Sequence, residues 1–329
     1  MSADERLGSE ARARIVADLA LLGGRLALER FHHARVAINR EETIVTGADL
    51  EIQEALGREI ARLFPTDGLV GEAGSIGAPR RESRYAWILD PLNGTDDFAR
   101  GMPGFAVSVG VLRDRVPFAG AVYDPVARWL FTGCVGRGAW LNDRPLRVRD
   151  GRAGGSLFTV RTPYETGVPE YVEGWMRRHS FRRFGATALH LCYVALGGLD
   201  FVHDGRASLW DIAGAAPVLL EAGGLLTADD GEPVFPITAA HAAGAPIALL
   251  AGHPTSHAEL SVTSARCATL DGWALPHPEA WAKNVPVRGG RRRRRARGSG
   301  DGAAAPRPAR RASRGRRASA PAARACPRR

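Results

Sequence analysis

The sequence contains almost no lysine, few cysteines and no long apolar run. Lys283 is the only lysine, although lysine and arginine together number 45. The four cysteines, Cys134, Cys192, Cys267 and Cys326, include no Cys-x-x-Cys pair, so they indicate neither a zinc site nor a disulfide framework. No run approaches the roughly 18 apolar residues of a membrane span, and no signal-peptide pattern opens the chain. These absences favour a cytoplasmic protein that does not contact a membrane.

Positive charge is concentrated at the C-terminal end. Residues 288–329 hold sixteen arginines and one acidic residue, a net charge of +15 in a chain whose total is +10. The preceding residues therefore carry a net charge of −5. Because the tail has almost no apolar side chain larger than alanine, we expect residues 287–329 to be disordered. Such a tail can bind nucleic acid electrostatically, but it lacks the aromatic residues typical of single-strand binding, and we favour a solvated extension.

The pattern of apolar residues predicts an α/β chain. Three apolar segments, 105–111, 118–123 and 129–135, are separated by turns short enough for hairpins, so they predict a mainly antiparallel sheet. No Gly-x-Gly-x-x-Gly fingerprint of a doubly wound nucleotide-binding fold is present. A second α/β region follows. We predict an N-terminal α+β subdomain over residues 1–150 and a C-terminal α/β subdomain over residues 151–286.

The most informative stretch covers residues 85–98. It begins as an apolar strand that we expect to end at Asp90, because Pro91 cannot continue a ladder of hydrogen bonds. Gly94 then permits a tight turn, and Thr95 is expected to cap a short acidic helix. A carboxylate at the end of a strand, facing the start of a helix, suits a divalent cation beside a phosphate group.

Three further carboxylates stand at the ends of predicted elements. Asp49 follows Thr46 by three residues, in the capping-box pattern of a helix start. Glu72 ends a short apolar strand, and Asp211 opens a predicted helix, where its simplest role is an N-cap. Each of these signals is weak alone, and their value depends on the surrounding motifs.

Two of these motifs resemble the signatures of the inositol monophosphatase family of magnesium-dependent phosphatases. Residues 90–98, Asp-Pro-Leu-Asn-Gly-Thr-Asp-Asp-Phe, are similar to the family pattern Asp-Pro-(Leu/Ile)-Asp-Gly-Thr-x-Asn-Phe. Trp-Asp-Ile-Ala-Gly at 210–214, with Glu-Ala-Gly-Gly at 221–224, resembles the second signature. The resemblance covers about residues 10–265. It implies a layered α/β (α+β) sandwich of the sugar-phosphatase type with a mainly antiparallel first sheet, usually assembled as a homodimer.

The resemblance implies two bound Mg²⁺ ions. Glu72, Asp90 and the carbonyl group of Leu92 would hold the first, and Asp90, Asn93 and Asp211 the second. One cation would aim the attacking water and the other would neutralise the departing oxygen. Attack would be in line at phosphorus, without a covalent intermediate.

The same resemblance assigns the remaining site residues. Glu72 and Thr95 would position the attacking water, and Asp49 would lie at the edge of the site. The backbone of Gly94 and Thr95 would cradle the phosphate. The implied substrate-binding residues are these two together with Asp204, Gly185 and Thr187. Inositol monophosphate is the first choice of substrate and histidinol phosphate the alternative.

The chain departs from the family pattern at two positions of the first signature, and one of them changes the charge of the predicted cation site. The second aspartate of the first signature is Asn93, and its later asparagine is Asp97. An amide oxygen still coordinates Mg²⁺, but one negative charge is lost from the second cation site. We expect Asp96, three residues further on, to compensate in part, which predicts a reduced but retained activity. The alternative is an inactive relative whose basic tail binds anions.

Overall fold

The computed structural model describes residues 3–31, 37–38, 44–45, 47–72, 83–149, 156–161, 168–183 and 185–260. Its helices are α1 Ala3–Arg30, α2 Gly47–Leu63, α3 Thr95–Ala99, α4 Glu170–Arg178, α5 Thr187–Ala195, α6 Leu209–Ala213, α7 Ala216–Glu221 and α8 Ala239–Ala242. Its strands are β1 Ala37–Ile38, β2 Ile44–Val45, β3 Gly68–Gly71, β4 Tyr85–Asn93, β5 Ala106–Arg113, β6 Val116–Asp124, β7 Trp129–Cys134, β8 Gly138–Leu141, β9 Arg144–Pro145, β10 Leu157–Arg161, β11 Ser180–Arg182, β12 Phe201–Ala207, β13 Leu225–Ala228 and β14 Ile247–Gly252. The arginine-rich tail, Thr46 and Ala73 lie outside the described residues.

The strands form two large sheets and one short hairpin. The first large sheet has seven strands in the order β3-β4-β5-β6-β7-β8-β9, and every pair in it except β3–β4 is antiparallel. The second has five strands in the order β11-β10-β12-β14-β13, with parallel pairs on one side and antiparallel pairs on the other. The predicted fold class, with a mainly antiparallel first sheet, is therefore confirmed.

Helices and sheets alternate in layers. α1 and α2 pack on one face of the first sheet, where they cover an apolar core that includes Trp87 and Phe105. α5, α6 and α7 lie on the other face, between the two sheets. A smaller core on the far face of the second sheet contains Phe158, Trp175 and Phe201. The predicted division near residue 150 falls between the two sheets, and the subdomain boundaries, like the homodimer, remain predictions.

Strand β4 continues beyond the point where the sequence predicts its end. It runs through Pro91 to Asn93, and its pairing with β5 shifts register between Asp90 and Asn93. The last residue of β4 paired with β3 is Leu89, so Pro91 interrupts no bond on that side. A proline is tolerated at such an irregularity because its missing N–H group costs no ladder bond. The prediction that the strand ends at Asp90 was wrong for this reason.

The helices between the sheets approach the first sheet very closely, across a row of three glycines on β5, β6 and β7. A side chain in this row would collide with the backbone of the segment 213–218. A Cβ atom on the β5 glycine would lie 2.5 Å from the carbonyl carbon of Ala213, and one on the β7 glycine 2.5 Å from the backbone nitrogen of Val218. On the β6 glycine it would overlap the carbonyl oxygen of Gly214. The three residues, which face one another across the paired strands, are Gly110, Gly120 and Gly133.

None of the helices in the described part of the chain combines the length and the apolar character needed to cross a bilayer.

Candidate active site

Two carboxylates meet where the pairing between strands β3 and β4 ends. Glu72 directly follows β3, and Asp90 lies in β4, where it is 1% exposed. Because β3 and β4 run parallel with Gly71 opposite Leu89, the residues that follow this pair come side by side. Their side chains are close enough for a hydrogen bond between the two carboxyl groups. The sequence prediction that these two residues share a site is consistent with this arrangement.

A third carboxylate reaches the same place from the second signature. Asp211 is buried in the first turn of α6, which packs against β4 and β5. Its charge acts on Asp90. The N-cap of α6 is Ser208 rather than Asp211, and the backbone N–H of Ser208 donates a 2.7 Å hydrogen bond to Asp211 Oδ2. Asp211 is therefore not the N-cap, the simplest role that the sequence allowed, because its side chain closes a capping box from inside the helix. Its predicted role as a cation ligand stays a prediction.

The environment of Asp90 favours a positive charge nearby. Burial raises the pKa of Asp90 well above its ordinary value, and the negative charges of Glu72 and Asp211 raise it further. A hydrogen bond from Asn93 opposes this effect. Asp90 Oδ1 has no hydrogen-bond partner among the described residues. A buried carboxylate oxygen in this condition is a suitable ligand for a hard cation.

The roles of these carboxylates as cation ligands stay a prediction. Within the described ranges, no three histidine, cysteine, aspartate or glutamate side chains gather into a metal centre. The sequence assigned the carbonyl oxygen of Leu92, in the same strand as Asp90, to the first cation as well. That carbonyl accepts a 2.8 Å hydrogen bond from the hydroxyl of Thr95. A carbonyl oxygen has two lone pairs, so this bond leaves one for a further ligand.

Asn93 does not present its oxygen to the carboxylates. Its side chain is 4% exposed, and Nδ2 donates hydrogen bonds of 2.8 Å to Asp90 Oδ2 and 2.6 Å to Asp211 Oδ1. The amide oxygen accepts a 2.8 Å hydrogen bond from the backbone N–H of Ala188 at the start of α5. The oxygen that the sequence assigned to a cation is thus engaged elsewhere, and two amide hydrogens stand between the carboxylates.

The turn after Asn93 depends on a glycine. Gly94 has a φ of 96°, in the left-handed region, and a Cβ atom there would lie 2.8 Å from the carbonyl oxygen of Gly104. Gly94 is also the N-cap of α3, and Thr95 is the first residue of that helix. The prediction that Thr95 caps the helix was wrong, because its hydroxyl points back to Leu92 instead of to a helical N–H.

The two acidic residues of α3 have different surroundings. Asp96 is exposed, and neither its charge nor a hydrogen bond of its own contributes to the environment of Asp90. Compensation by Asp96 for the missing charge at a cation therefore stays a prediction. Asp97, which replaces the family's asparagine, accepts a 3.1 Å hydrogen bond from the backbone N–H of Gly185. Burial raises the pKa of Asp97, and the bond from Gly185 lowers it in part.

Asp204 and Thr187 form a buried pair beneath the start of α5. Both are fully buried, and Thr187 Oγ1 donates a 2.6 Å hydrogen bond to Asp204 Oδ2. Asp204 Oδ1 accepts the backbone N–H of Arg206 at 3.0 Å. Each oxygen of this buried carboxylate therefore already accepts a hydrogen bond from within the protein. Direct contact of Asp204 and Thr187 with substrate stays a prediction, and their contacts place them as supports of α5.

Asp49, His190 and His203 take no part in the hydrogen bonds described so far. Asp49 is buried in the first turn of α2, and its catalytic role stays a prediction. His203 is buried with its ring against Tyr171 and Trp175. His190 is buried within α5.

Two contributors to the site could not be singled out as functional residues from the sequence. Ala188 and Ser208 act through backbone N–H groups, which every residue but proline carries. Only Ser208 had a sequence signal, since Ser-x-x-Asp before an apolar helix is a capping-box pattern.

Comparison with known proteins agrees with this geometry. Residues 11–268 match the model of the inositol monophosphatase family. The chain is 31% identical over 236 residues to inositol monophosphatase 1 of Solanum lycopersicum, covering 68% of this chain and 86% of that protein. It is 32% identical over 220 residues to Nus factor SuhB of Pasteurella multocida, with coverage of 65% and 82%.

A solved structure supports the same relationship. Inositol monophosphatase from Anabaena (Nostoc) sp. PCC 7120 superposes with a TM-score of 0.66 at 30% identity, covering 83% of this chain and 99% of that one. The two-sheet architecture, the two signature regions and the extent of the match all agree. The chain is therefore a member of the inositol monophosphatase family of phosphoric monoester hydrolases.

Proposed function

We propose that this chain hydrolyses the phosphate monoester of a small polyol, with inositol monophosphate as the first candidate, and that Mg²⁺ is its cofactor. The single observation that carries the proposal is the buried, unpartnered oxygen of Asp90 beside Glu72, at the turn that carries Gly94 and Thr95. Family membership supports the reaction class, and the names of the relatives support the polyol.

The residues present fit one hard cation. Two carboxylates and a backbone carbonyl are oxygen ligands, which Mg²⁺ prefers while it keeps several waters. Glu72, Asp90 and the carbonyl oxygen of Leu92 would hold it. When bound, such an ion neutralises the carboxylates and makes a coordinated water more acidic. Burial is the main cause of the raised pKa of Asp90, and the negative charges of Glu72 and Asp211 add to it, so a bound cation would make the ionised form of Asp90 more favourable.

Thr95 is suited to orient the attacking water. Its hydroxyl proton is donated to the carbonyl oxygen of Leu92, so the hydroxyl oxygen is left as an acceptor. A water that donates to this oxygen and to Glu72 would have its own lone pair free to face phosphorus. Positioning of this kind is the contribution that we assign to the two side chains.

The phosphate would lie over the start of α3. The first N–H groups of a helix have no partner within it, and the turn is free of side-chain bulk at Gly94. Gly104 and Gly185 border the same region, because the carboxylate of Asp97 lies within contact distance of both. We expect Asp97 to hold the loop at Gly185 in place rather than to bind the anionic phosphate, since two negative groups repel each other.

Phosphate release is the test of this function. Full-length protein would be assayed with inositol monophosphate and with histidinol phosphate, in Mg²⁺ and after chelation. Asp90→Asn keeps the size of the side chain and removes its charge, and it should lower kcat/KM by at least about 100-fold. Asp143→Asn, the same change at an exposed aspartate, is the matched control and should leave the rate unchanged. Release that needs no metal, or that survives Asp90→Asn, would contradict the proposal.

The two esters separate the substrate alternatives. Faster turnover of inositol monophosphate would support a polyol pocket, and faster turnover of histidinol phosphate would support an amino alcohol. With the wrong substrate, polar groups of a pocket are left without hydrogen-bond partners, and the reaction is slower. The ratio of the kcat/KM values for the two esters therefore measures the preference of the pocket.

A further inference from the structure

The amide group of Asn93 occupies the position between Asp90 and Asp211. Its nitrogen is 2.8 Å from Asp90 Oδ2 and 2.6 Å from Asp211 Oδ1, and the whole group is buried. The nitrogen carries two hydrogens, one for each carboxylate. Partial positive charge therefore already bridges Asp90 and Asp211.

The orientation of this amide is fixed by its oxygen. The backbone N–H of Ala188 donates a 2.8 Å hydrogen bond to Asn93 Oδ1. If the amide were reversed, its NH₂ group would face this N–H donor, and its oxygen would face two carboxylates. Both contacts would be repulsive in a buried, low-dielectric place. The network thus permits only one assignment of oxygen and nitrogen.

Asp211 has no carboxylate oxygen outside this network. Oδ1 accepts from Asn93, and Oδ2 accepts the backbone N–H of Ser208 at 2.7 Å. A cation between Asp211 and Asp90 would meet amide hydrogens, and Asn93 would have to give up both hydrogen bonds that Nδ2 donates to admit it. Asp90 Oδ1 has no such obstacle, since it is without a partner in the described part of the chain.

We propose that this chain binds a single divalent cation, at Glu72 and Asp90, and that the Asn93 amide replaces a second cation between Asp90 and Asp211. The inference concerns the number of ions bound, and it rests on the proposed function only in taking the cation at Glu72 as given. The chain satisfies Asp90 and Asp211 with hydrogen bonds that it carries itself. The family pattern, which has aspartate at this position, would place a third negative charge there.

Asn93→Asp reverses the arrangement and provides the test. The substituted carboxylate can still accept from Ala188, but it offers an acceptor where the amide offers two donors. Without metal, three carboxylates then face one another, so the variant should melt at a lower temperature than the wild type. With metal, the second position should bind at least about tenfold more tightly than in the wild type.

The measurement is Mn²⁺ binding to the full-length chain, by calorimetry and by electron paramagnetic resonance of the free ion, together with melting in metal-free buffer. The expected result is one Mn²⁺ per wild-type chain and two per Asn93→Asp chain. Asn142→Asp, the same change at an exposed asparagine, is the matched control and should keep one ion. Two ions of similar affinity in the wild type, no ion at all, or an unchanged count in Asn93→Asp would overturn the inference.

A second variant covers the case in which Asn93→Asp fails to fold. Asp211→Asn removes a carboxylate that is not a cation ligand under this inference, so one Mn²⁺ should remain with its affinity changed less than about tenfold. Loss of that ion would overturn the inference. The test of the inference is separate from the test of the proposed function. If the chain binds one Mn²⁺ but releases no phosphate, the inference on the number of cations stands and the proposed hydrolase function is contradicted.

Discussion

The backbone N–H of Ala188 donates a 2.8 Å hydrogen bond to the side-chain oxygen of Asn93, a residue 95 positions earlier. This bond joins the first signature, on the first sheet, to the start of α5 between the sheets. It also decides which way the amide points, and therefore what Asp90 and Asp211 face. A backbone group in one half of the chain thus sets the electrostatics of a site in the other half.

Two fully buried threonines provide a matched test of how much the hydrogen bond to Asp204 contributes to the free energy of unfolding. Thr187 donates to the buried Asp204 carboxylate, whereas Thr159 Oγ1 has no partner among the described residues. Thr187→Val should lower the free energy of unfolding by about 1–3 kcal/mol, because it leaves a buried carboxylate oxygen without its donor. Thr159→Val should be neutral or stabilising, since it removes an unsatisfied hydroxyl. Urea unfolding of both variants measures the difference, and equal effects would contradict the assignment.

The glycine row offers a second matched pair. A methyl group at Gly120 would overlap the backbone of Gly214, so Gly120→Ala should lower the free energy of unfolding by about 1–3 kcal/mol or more. Gly174 lies in α4, where a methyl group meets only ordinary contacts with the Arg178 side chain. Gly174→Ala should raise the free energy of unfolding by about 0.5–1 kcal/mol through helix propensity. Destabilisation by Gly174→Ala, or tolerance of Gly120→Ala, would show that backbone contact is not the cause.

His257 gives the fold a dependence on pH. Burial lowers the pKa of His257 below its ordinary value of 6.5, and the ring bonds to the Thr227 hydroxyl at 2.9 Å. The unfolded chain then binds a proton more readily than the folded chain. Stability should be constant in this respect above pH 6.5 and should fall as the pH drops below it. His257→Gln should flatten the decline in melting temperature, and His241→Gln, on the short helix α8, should not.

The arrangement of the strands was largely predictable from the sequence, whereas the continuation of strand β4 past Asp90 was not. Short apolar segments separated by tight turns predicted the antiparallel hairpins correctly, because side-chain alternation and turn residues are local properties. The continuation of β4 through Pro91 was missed, because it depends on β3 ending its pairing at Leu89. Pairing between strands is a tertiary property that a single segment does not encode.

The proximity of the acidic residues was predicted better than the hydrogen bonds around them. Glu72, Asp90 and Asp211 were recognisable because the residue types and their spacing follow two signatures. The direction of the Asn93 amide was not, since it depends on Ala188, an alanine that contributes only its backbone. The burial of Asp204 beneath Thr187 was likewise invisible, because the two residues meet through the fold and not through adjacent positions.

The row of Gly110, Gly120 and Gly133 also bears on how the site tolerates change. Where a helix rests on a sheet through side chains, the gap between them varies with every methylene gained or lost. Across this row, backbone contacts backbone, so no side chain sets the distance between the helices and the sheet. The segment that follows Asp211 is held against the same sheet that carries Asp90. The separation of Asp90 and Asp211 should therefore change little when core side chains elsewhere are replaced.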